Sequence, residues 1–252
     1  MSALGETMAE KNKRASAPAA PQTDAQRTRR ALAWTHTARF LVTASQLDQL
    51  PVGELPEYAF VGRSNAGKSS AINALTQQRG LAFASKTPGR TQHINLFALG
   101  PKVEPNALFV DLPGYGYAAV ARDAKVRWQQ VMADYLELRR NLAGVILLVD
   151  SRLGLTELDQ QLLDFVAPRL RNGAVRLMVL LTKIDKLNRS EAQRALQAAQ
   201  EALAEIATDE TDIGVSTFSV LKHIGVQDVA LVLHGWAVPS GSGPTDEQHH
   251  AG

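Results

Sequence analysis

The chain reads as an α/β protein of three layers, with a mostly parallel six-stranded sheet, one antiparallel edge strand and helices on both faces. Three observations predict this. Short apolar runs of strand length alternate with longer segments of helical periodicity. A glycine-rich loop stands between the first such run and the first helix-like segment. Polar tetrapeptides follow directly on later apolar runs, at the carboxyl ends of strands, where open α/β sheets place their ligands.

In chain order, Tyr58–Val61 is a short apolar strand, and Ser70-Ala71-Ile72-Asn73-Ala74-Leu75 opens the first helix of the core. Ile94–Leu99 and Ala107–Val110 are joined by a turn containing Gly100-Pro101. They are expected to pair antiparallel, because a parallel crossover needs about a dozen residues or more. The pattern then runs helix Ala124–Arg140, strand Gly144–Val149, helix Gln160–Leu170, strand Val175–Leu181, helix Glu191–Ile206, strand Ile213–Phe218 and helix Val226–Trp236. There is no internal repeat.

Length and composition fit one domain with two tails. Of 252 residues, a core of about 200 is ample for a single buried centre. Residues 1–34 mix Ala, Pro, Gln and charge without periodicity and read as a disordered arm. Residues 35–237 form the domain, and 238–252, rich in Gly, Ser and Pro, form a second loose tail whose His249-His250 pair suggests no metal site. The whole chain carries +2, and the arm alone carries +3 through Lys11, Lys13, Arg14, Arg27, Arg29 and Arg30 against Glu6, Glu10 and Asp24. Two readings of the arm stand open: sequence-independent contact with RNA phosphates, or a solvated solubility tail. The absence of cysteine excludes disulfides, thiol nucleophiles and cysteine-ligated zinc. Glu6, Glu10 and Lys11 stand where a signal peptide needs an apolar core, and runs such as Val145–Val149 are too short to cross a bilayer. A cytoplasmic protein without membrane insertion is expected.

Residues Gly62-Arg63-Ser64-Asn65-Ala66-Gly67-Lys68-Ser69 carry the pattern GxxxxGK[ST]. The glycines let successive backbone N–H groups turn inward, the following helix adds its positive N-terminal end, and Lys68 brings a full charge to the β- and γ-phosphates. Ser69 is left to hold Mg²⁺. Kinases, ATPases and GTPases all use such a loop, so the rest of the chain must choose among them. Asp111-Leu112-Pro113-Gly114 follows Ala107–Val110; Asp111 would reach Mg²⁺ through water, and the Gly114 amide would sense the γ-phosphate. Thr182-Lys183-Ile184-Asp185 follows Val175–Leu181. There, an aspartate accepts from guanine N1–H and the exocyclic amine together, whereas adenine would present a ring lone pair. Lys183 can lay its aliphatic stem over the purine. GTP and GDP are the expected ligands.

The order of these motifs resembles the translation-factor-related GTPases. The flanking residues, Gly62 to Ser70, Ser85-Lys86-Thr87-Pro88-Gly89-Arg90-Thr91-Gln92, Asp111 to Ala118 and Thr182 to Leu187, closely resemble the EngB (YihA/YsxC) family of bacterial GTPases. The likeness runs from about Ala38 to Trp236 and implies a P-loop GTPase fold. It also implies a role in assembling the large ribosomal subunit and in normal cell division and septation, with ribosomal precursors and rRNA as partners of a monomeric switch. By the same likeness, Thr91 is the switch-one threonine that joins Ser69 on Mg²⁺. Gly89, Arg90, Thr91, Gln92 and His93 border the nucleotide, and Phe218-Ser219-Val220 occupies the place of a guanine-contacting loop that usually reads Phe-Ser-Ser. Lys68, Thr91 and Gly114 are the residues expected to serve hydrolysis.

Tyr115 stands where Ras-like GTPases carry a water-orienting glutamine. Slow hydrolysis is therefore expected, with two accounts open: a partner completes the site, or a monovalent cation supplies charge. Asn65 favours K⁺, since potassium-stimulated GTPases carry asparagine at this point; the competing account has Asn65 bonded only within its own loop. Tyr115, Gly116, Tyr117, Arg122, Lys125, Arg127 and Trp128 either form an RNA-reading surface that follows the nucleotide state, or are packed aromatics and solvated cations. A phosphotransferase acting on a small molecule and a division-site adaptor using GTP for recruitment are the alternative functions.

Overall fold

The computed structural model describes residues 23–82, 93–116 and 122–238; side chains of 122–129 fall outside the description. In chain order the elements are α1 (Asp24–Thr35), β1 (Arg39–Ala44), β2 (Glu57–Gly62), α2 (Lys68–Thr76), β3 (Ile94–Leu99), β4 (Ala107–Asp111), α3 (Arg122–Leu138), β5 (Leu142–Asp150), α4 (Glu157–Arg171), β6 (Arg176–Thr182), α5 (Arg189–Ala204), β7 (Ile213–Thr217) and α6 (Val226–Ala237). The sheet has seven strands in the order β1-β3-β4-β2-β5-β6-β7. Both β1 and β4 run antiparallel to β3, and every other pairing is parallel.

The expected fold class holds, with one strand more than the six read from the sequence: β1 lies outside β3 and pairs with it antiparallel, giving a seventh strand at the edge. Its sequence RFLVTA lacks clean alternation because an edge strand need not be apolar on both faces, and a bulge between Phe40 and Val42 breaks its period further. The arm expected to be disordered through residue 34 contains α1. A capping box between Thr23 and Gln26 starts this helix. Ala31, Trp34 and Thr35, at helical spacing, are buried on its inner face. Trp34 packs edge-on to Phe109 and His234, with ring centroids 5.9 and 5.6 Å away, and its indole N–H donates to Asn106 Oδ1 at 2.9 Å. The rest of the arm and residues 239–252 lie outside the described residues.

Alternation along the strands divides the core into two layers. Ala59 and Val61 of β2 face α3, α4 and α5, whereas Tyr58 and Phe60 face α1, α2 and α6. Each fully buried aliphatic or aromatic side chain contributes roughly 1.5–3 kcal/mol. The apolar strands therefore form a stiff platform whose carboxyl ends are fixed in space. The chain leaves β2 toward β3 and β4 on one side and returns to β5, β6 and β7 on the other, so the end of β2 is the topological switch point.

At the opposite end of β2, Glu57 is completely buried. Its carboxylate accepts from the Tyr135 hydroxyl and from Arg139, whose Nη2 lies 2.6 Å from Oε1, tying α3 to the start of the strand. Arg139 Nη2 also donates to the Pro51 carbonyl at 2.8 Å. Removing one partner of a buried pair leaves an uncompensated charge. Arg139→Ala is therefore expected to lower unfolding stability by about 3–5 kcal/mol, measured as a reduced urea midpoint with unchanged slope.

Candidate functional site

The first site motif lies between β2 and α2. Gly67 caps α2 with φ 97°, and Asn65 also adopts positive φ, 68°. These left-handed residues curl the loop; glycine at position 67 takes that conformation without a Cβ penalty. Ala66 N–H closes a turn on Arg63 O at 3.0 Å, and Ala71 N–H reaches Gly67 O at 2.8 Å to begin the helix. The loop thus delivers an α-helix N-terminus and flanking amides to one point, which is an anion site by construction.

Lys68 projects from that point, buried, and its Nζ lies 2.8 Å from Asp111 Oδ1 at the end of β4. Ser69 Oγ donates to Asp111 Oδ2 at 3.4 Å. A lysine for phosphate thus stands beside two hard oxygen donors. The donor pair fits Mg²⁺, which typically takes one or two protein ligands and completes its shell with water and phosphate. Among the described residues no group of three or more His, Cys, Asp or Glu gathers to hold a metal.

The second motif is threaded against the first. Ser64 N–H donates to Tyr115 O at 2.8 Å, and Tyr115 N–H to Gly62 O at 3.3 Å. A Cβ on Gly114 would come within 3.1 Å of Ser64 N and 3.2 Å of its Cα. Only glycine fits that approach without forcing its neighbours apart. Leu112 and Pro113 are buried beneath the same crossing. Tyr115 itself is 4% exposed, and its hydroxyl donates to Asp159 Oδ1 at 2.5 Å. Asp159 Oδ2 in turn accepts from Thr156 N–H at 2.8 Å and Thr156 Oγ1 at 2.6 Å, closing the capping box of α4. Burial, then the neighbouring Asp159 carboxylate, push the phenol far above its ordinary range. So committed, Tyr115 has no free hydroxyl to orient water and no exposed ring to stack on a base.

The third motif sits one strand further across. Thr182, buried at the end of β6, donates to Ala66 O at 2.7 Å and also lies 3.1 Å from Val149 O. Lys183, with φ 57°, sends Nζ to Asn65 O at 2.7 Å and to Asp150 Oδ2 at 2.9 Å. Its ammonium is tethered to the phosphate loop while its stem remains free to cover a purine. Ile184 is buried and donates its N–H to Phe218 O at 3.3 Å. Asp185 accepts from Ser219 Oγ at 2.5 Å. That hydroxyl, with further help from backbone and nearby lysines, holds the Asp185 carboxyl below its ordinary value. The carboxylate therefore stays ionised throughout the neutral range.

The loop after β7 thus has a side-chain role that its sequence did not disclose. Phe218 is buried, Ser219 orients the recognition carboxylate, and Val220 packs on the core, so the departure from Phe-Ser-Ser leaves the bond to Asp185 intact. His93 stands before β3 with Nδ1 2.8 Å from Ser45 Oγ, beyond the end of β1. Gly89, Arg90, Thr91 and Gln92 lie outside the described residues, as does Tyr117; the side chains of Arg122, Lys125, Arg127 and Trp128 are likewise outside them. The Asn65 side chain makes no hydrogen bond within its loop, and the residue is exposed. Sequence reasoning missed Asp150, Arg152 and Asp159. The signal for the first two was available: Asp150-Ser151-Arg152 closes an apolar strand at the same carboxyl edge as the other motifs.

A phosphate loop, a strand-end aspartate beside its lysine and serine, and a second aspartate placed for guanine define a P-loop GTP-binding protein of the GTPase class. A family model described as a 50S ribosome-binding GTPase matches residues 57–183. The probable GTP-binding protein EngB of Acidovorax ebreus is 57% identical over 208 residues, covering 82% of this chain and 92% of the relative. Its counterpart from Polaromonas sp. is 57% identical over 209 residues, covering 83% and 82%. The chain belongs to the EngB family of GTP-binding proteins. A crystal structure of a probable GTP-binding protein engB superposes with a TM-score of 0.52 at 20% identity, over 72% of this chain and 98% of that one. The structure of Era with MgGDPNP and a 16S ribosomal RNA segment gives 0.57 at 21% identity, over 78% and 61%. These two likenesses are of fold alone.

Asp185→Asn replaces a double acceptor with an amide that must turn a donor toward one guanine N–H. Loss of a charged hydrogen bond costs about 1.5–3 kcal/mol. GTP affinity is expected to fall by one to two orders of magnitude in calorimetry, with xanthosine triphosphate binding gaining.

Proposed function

We propose that this protein is a GTP-driven switch acting in the cytoplasm on precursors of the large ribosomal subunit, with slow hydrolysis resetting the state, and that normal cell division depends on it. The observation that carries the switch reading is the crossing of the phosphate loop and Gly114. Gly114 packs on the Ser64 backbone of the loop expected to grip the phosphates, and its amide would sense a γ-phosphate there, so triphosphate and diphosphate would differ where the second motif leaves the core. The ribosomal reading rests on family membership and on the basic N-terminal arm. No helix among the described residues is long and apolar enough to cross a membrane.

Within the site, Lys68 neutralises phosphate charge and the α2 N-terminus receives phosphate oxygens. Asp185 and Lys183 hold the base. Bound Mg²⁺ would supply charge neutralisation at the phosphates, held by Ser69 and oriented through Asp111. The commitment of Tyr115 to Asp159 supports slow intrinsic turnover, because no glutamine replaces it at that position. The exposed Asn65 side chain, without a hydrogen bond among the described residues, supports a K⁺ ligand there over a purely internal role.

Sedimentation through a sucrose gradient with a non-hydrolysable GTP analogue is expected to carry the full chain with large-subunit particles, and GDP to release it. Identical profiles in both nucleotides would remove the switch reading. Hydrolysis measured in K⁺ is expected to exceed that in Na⁺ severalfold; equal rates would leave an activating partner as the surviving account.

A further inference from the structure

Asp150 and Arg152, at the end of β5, have no part in the motif assignments. Asp150 ends β5 between the phosphate loop and the guanine turn, with its side chain 8% exposed. Its carboxylate is fully occupied by two cations. Arg152 grips it as a fork, Nε 2.9 Å from Oδ1 and Nη2 2.6 Å from Oδ2, and the Arg152 N–H adds a third bond to Oδ1 at 3.1 Å. Lys183 Nζ completes the set at 2.9 Å from Oδ2. The same Nζ is 2.7 Å from Asn65 O. The ammonium that tethers the guanine turn to the phosphate loop is therefore held from below by a carboxylate whose plane Arg152 fixes.

Resting on the reading of this site as one for guanine nucleotide, we propose that Asp150, locked by Arg152, is a positioning residue for nucleotide binding, acting through Lys183. Lysine carries a flexible four-carbon stem and a strongly hydrated head. Bonded to one carbonyl alone, its ammonium would exchange with water and the stem would leave the purine face. Anchored on Asp150 as well, the stem is set before the ligand arrives, so ordering it no longer weakens binding. The alternative physical outcome has the opposite sign. Were Asp150 only a counter-charge, removing it would leave Lys183 and Arg152 free to attract phosphate, and affinity would rise.

The test uses the full chain, titrated by calorimetry with GDP and with a non-hydrolysable GTP analogue at fixed Mg²⁺. Asp150→Asn is expected to weaken both ligands by about tenfold or more, the loss of a charge-assisted bond. In a Lys183→Ala background the same substitution is expected to change affinity less than about twofold, since residues acting through one another are not additive. Arg152→Ala, at a side chain 50% exposed, is expected to weaken binding severalfold, and Arg152→Lys to recover part of the loss. If Asp150→Asn fails the circular-dichroism check for folding, the Arg152→Ala and Arg152→Lys titrations decide. Unchanged or tighter binding in the folded variants, or an undiminished Asp150→Asn effect without Lys183, overturns the positioning role. Failure of the unsubstituted chain to bind either nucleotide would instead overturn the reading of the site itself.

Discussion

A loop that turns its amides inward to receive phosphate must send its carbonyls outward, and those carbonyls need partners of their own. Here Asn65 O accepts from the Lys183 ammonium and Ala66 O from the Thr182 hydroxyl. Both donors come from the turn expected to recognise guanine, so satisfying the phosphate loop and placing that turn are one act. Thr182 also bonds Val149 O, and Ser219 reaches Asp185 from the strand beyond. The carboxyl ends of β2, β5, β6 and β7 are thereby joined side to side. The parts of the ligand are then met by elements whose spacing is fixed by backbone satisfaction and by the two apolar layers beneath them.

Much of this arrangement was legible in the sequence because its determinants are local. A glycine loop between a strand and a helix, and tetrapeptides at strand ends, carry their meaning in a few adjacent residues, and six of the seven strands follow from apolar runs that sheet burial demands. What was not legible depends on tertiary partners. The edge strand β1 reads poorly because one of its sides is unpaired and it is bulged. Helix α1 hides in polar, basic composition, although its capping box and the Ala31, Trp34, Thr35 stripe were present; its stability comes from docking on α6 and β4, which no local pattern reports.

The same distinction separates the site residues. Spacing singled out Lys68, Ser69, Asp111 and Asp185 as candidates and the family resemblance added Ser219, whereas Asp150 was not named, because it acts on a residue far away in sequence. A serine after a strand and an aspartate at a strand end are common. They acquire meaning only when folding brings Ser219 to Asp185 and Asp150 to Lys183. The buried Glu57 cluster shows this at the other end of β2, where a charged residue opening an apolar strand is tolerated only because Tyr135 and Arg139 converge on it.

Tyr115 shows how one substitution redistributes the work of the site. A glutamine at this position would keep a polar end free toward solvent. The tyrosine instead inverts its side chain into the protein and joins the cap of α4 through Asp159 and Thr156. Its backbone is meanwhile bonded on both sides to the phosphate loop. Gly114 is thus held between two fixed neighbours, the strand end at Asp111 and a phenol anchored in the core. The anchoring that commits the Tyr115 hydroxyl to Asp159 thus goes together with the close approach of Gly114 to the Ser64 backbone of the phosphate loop.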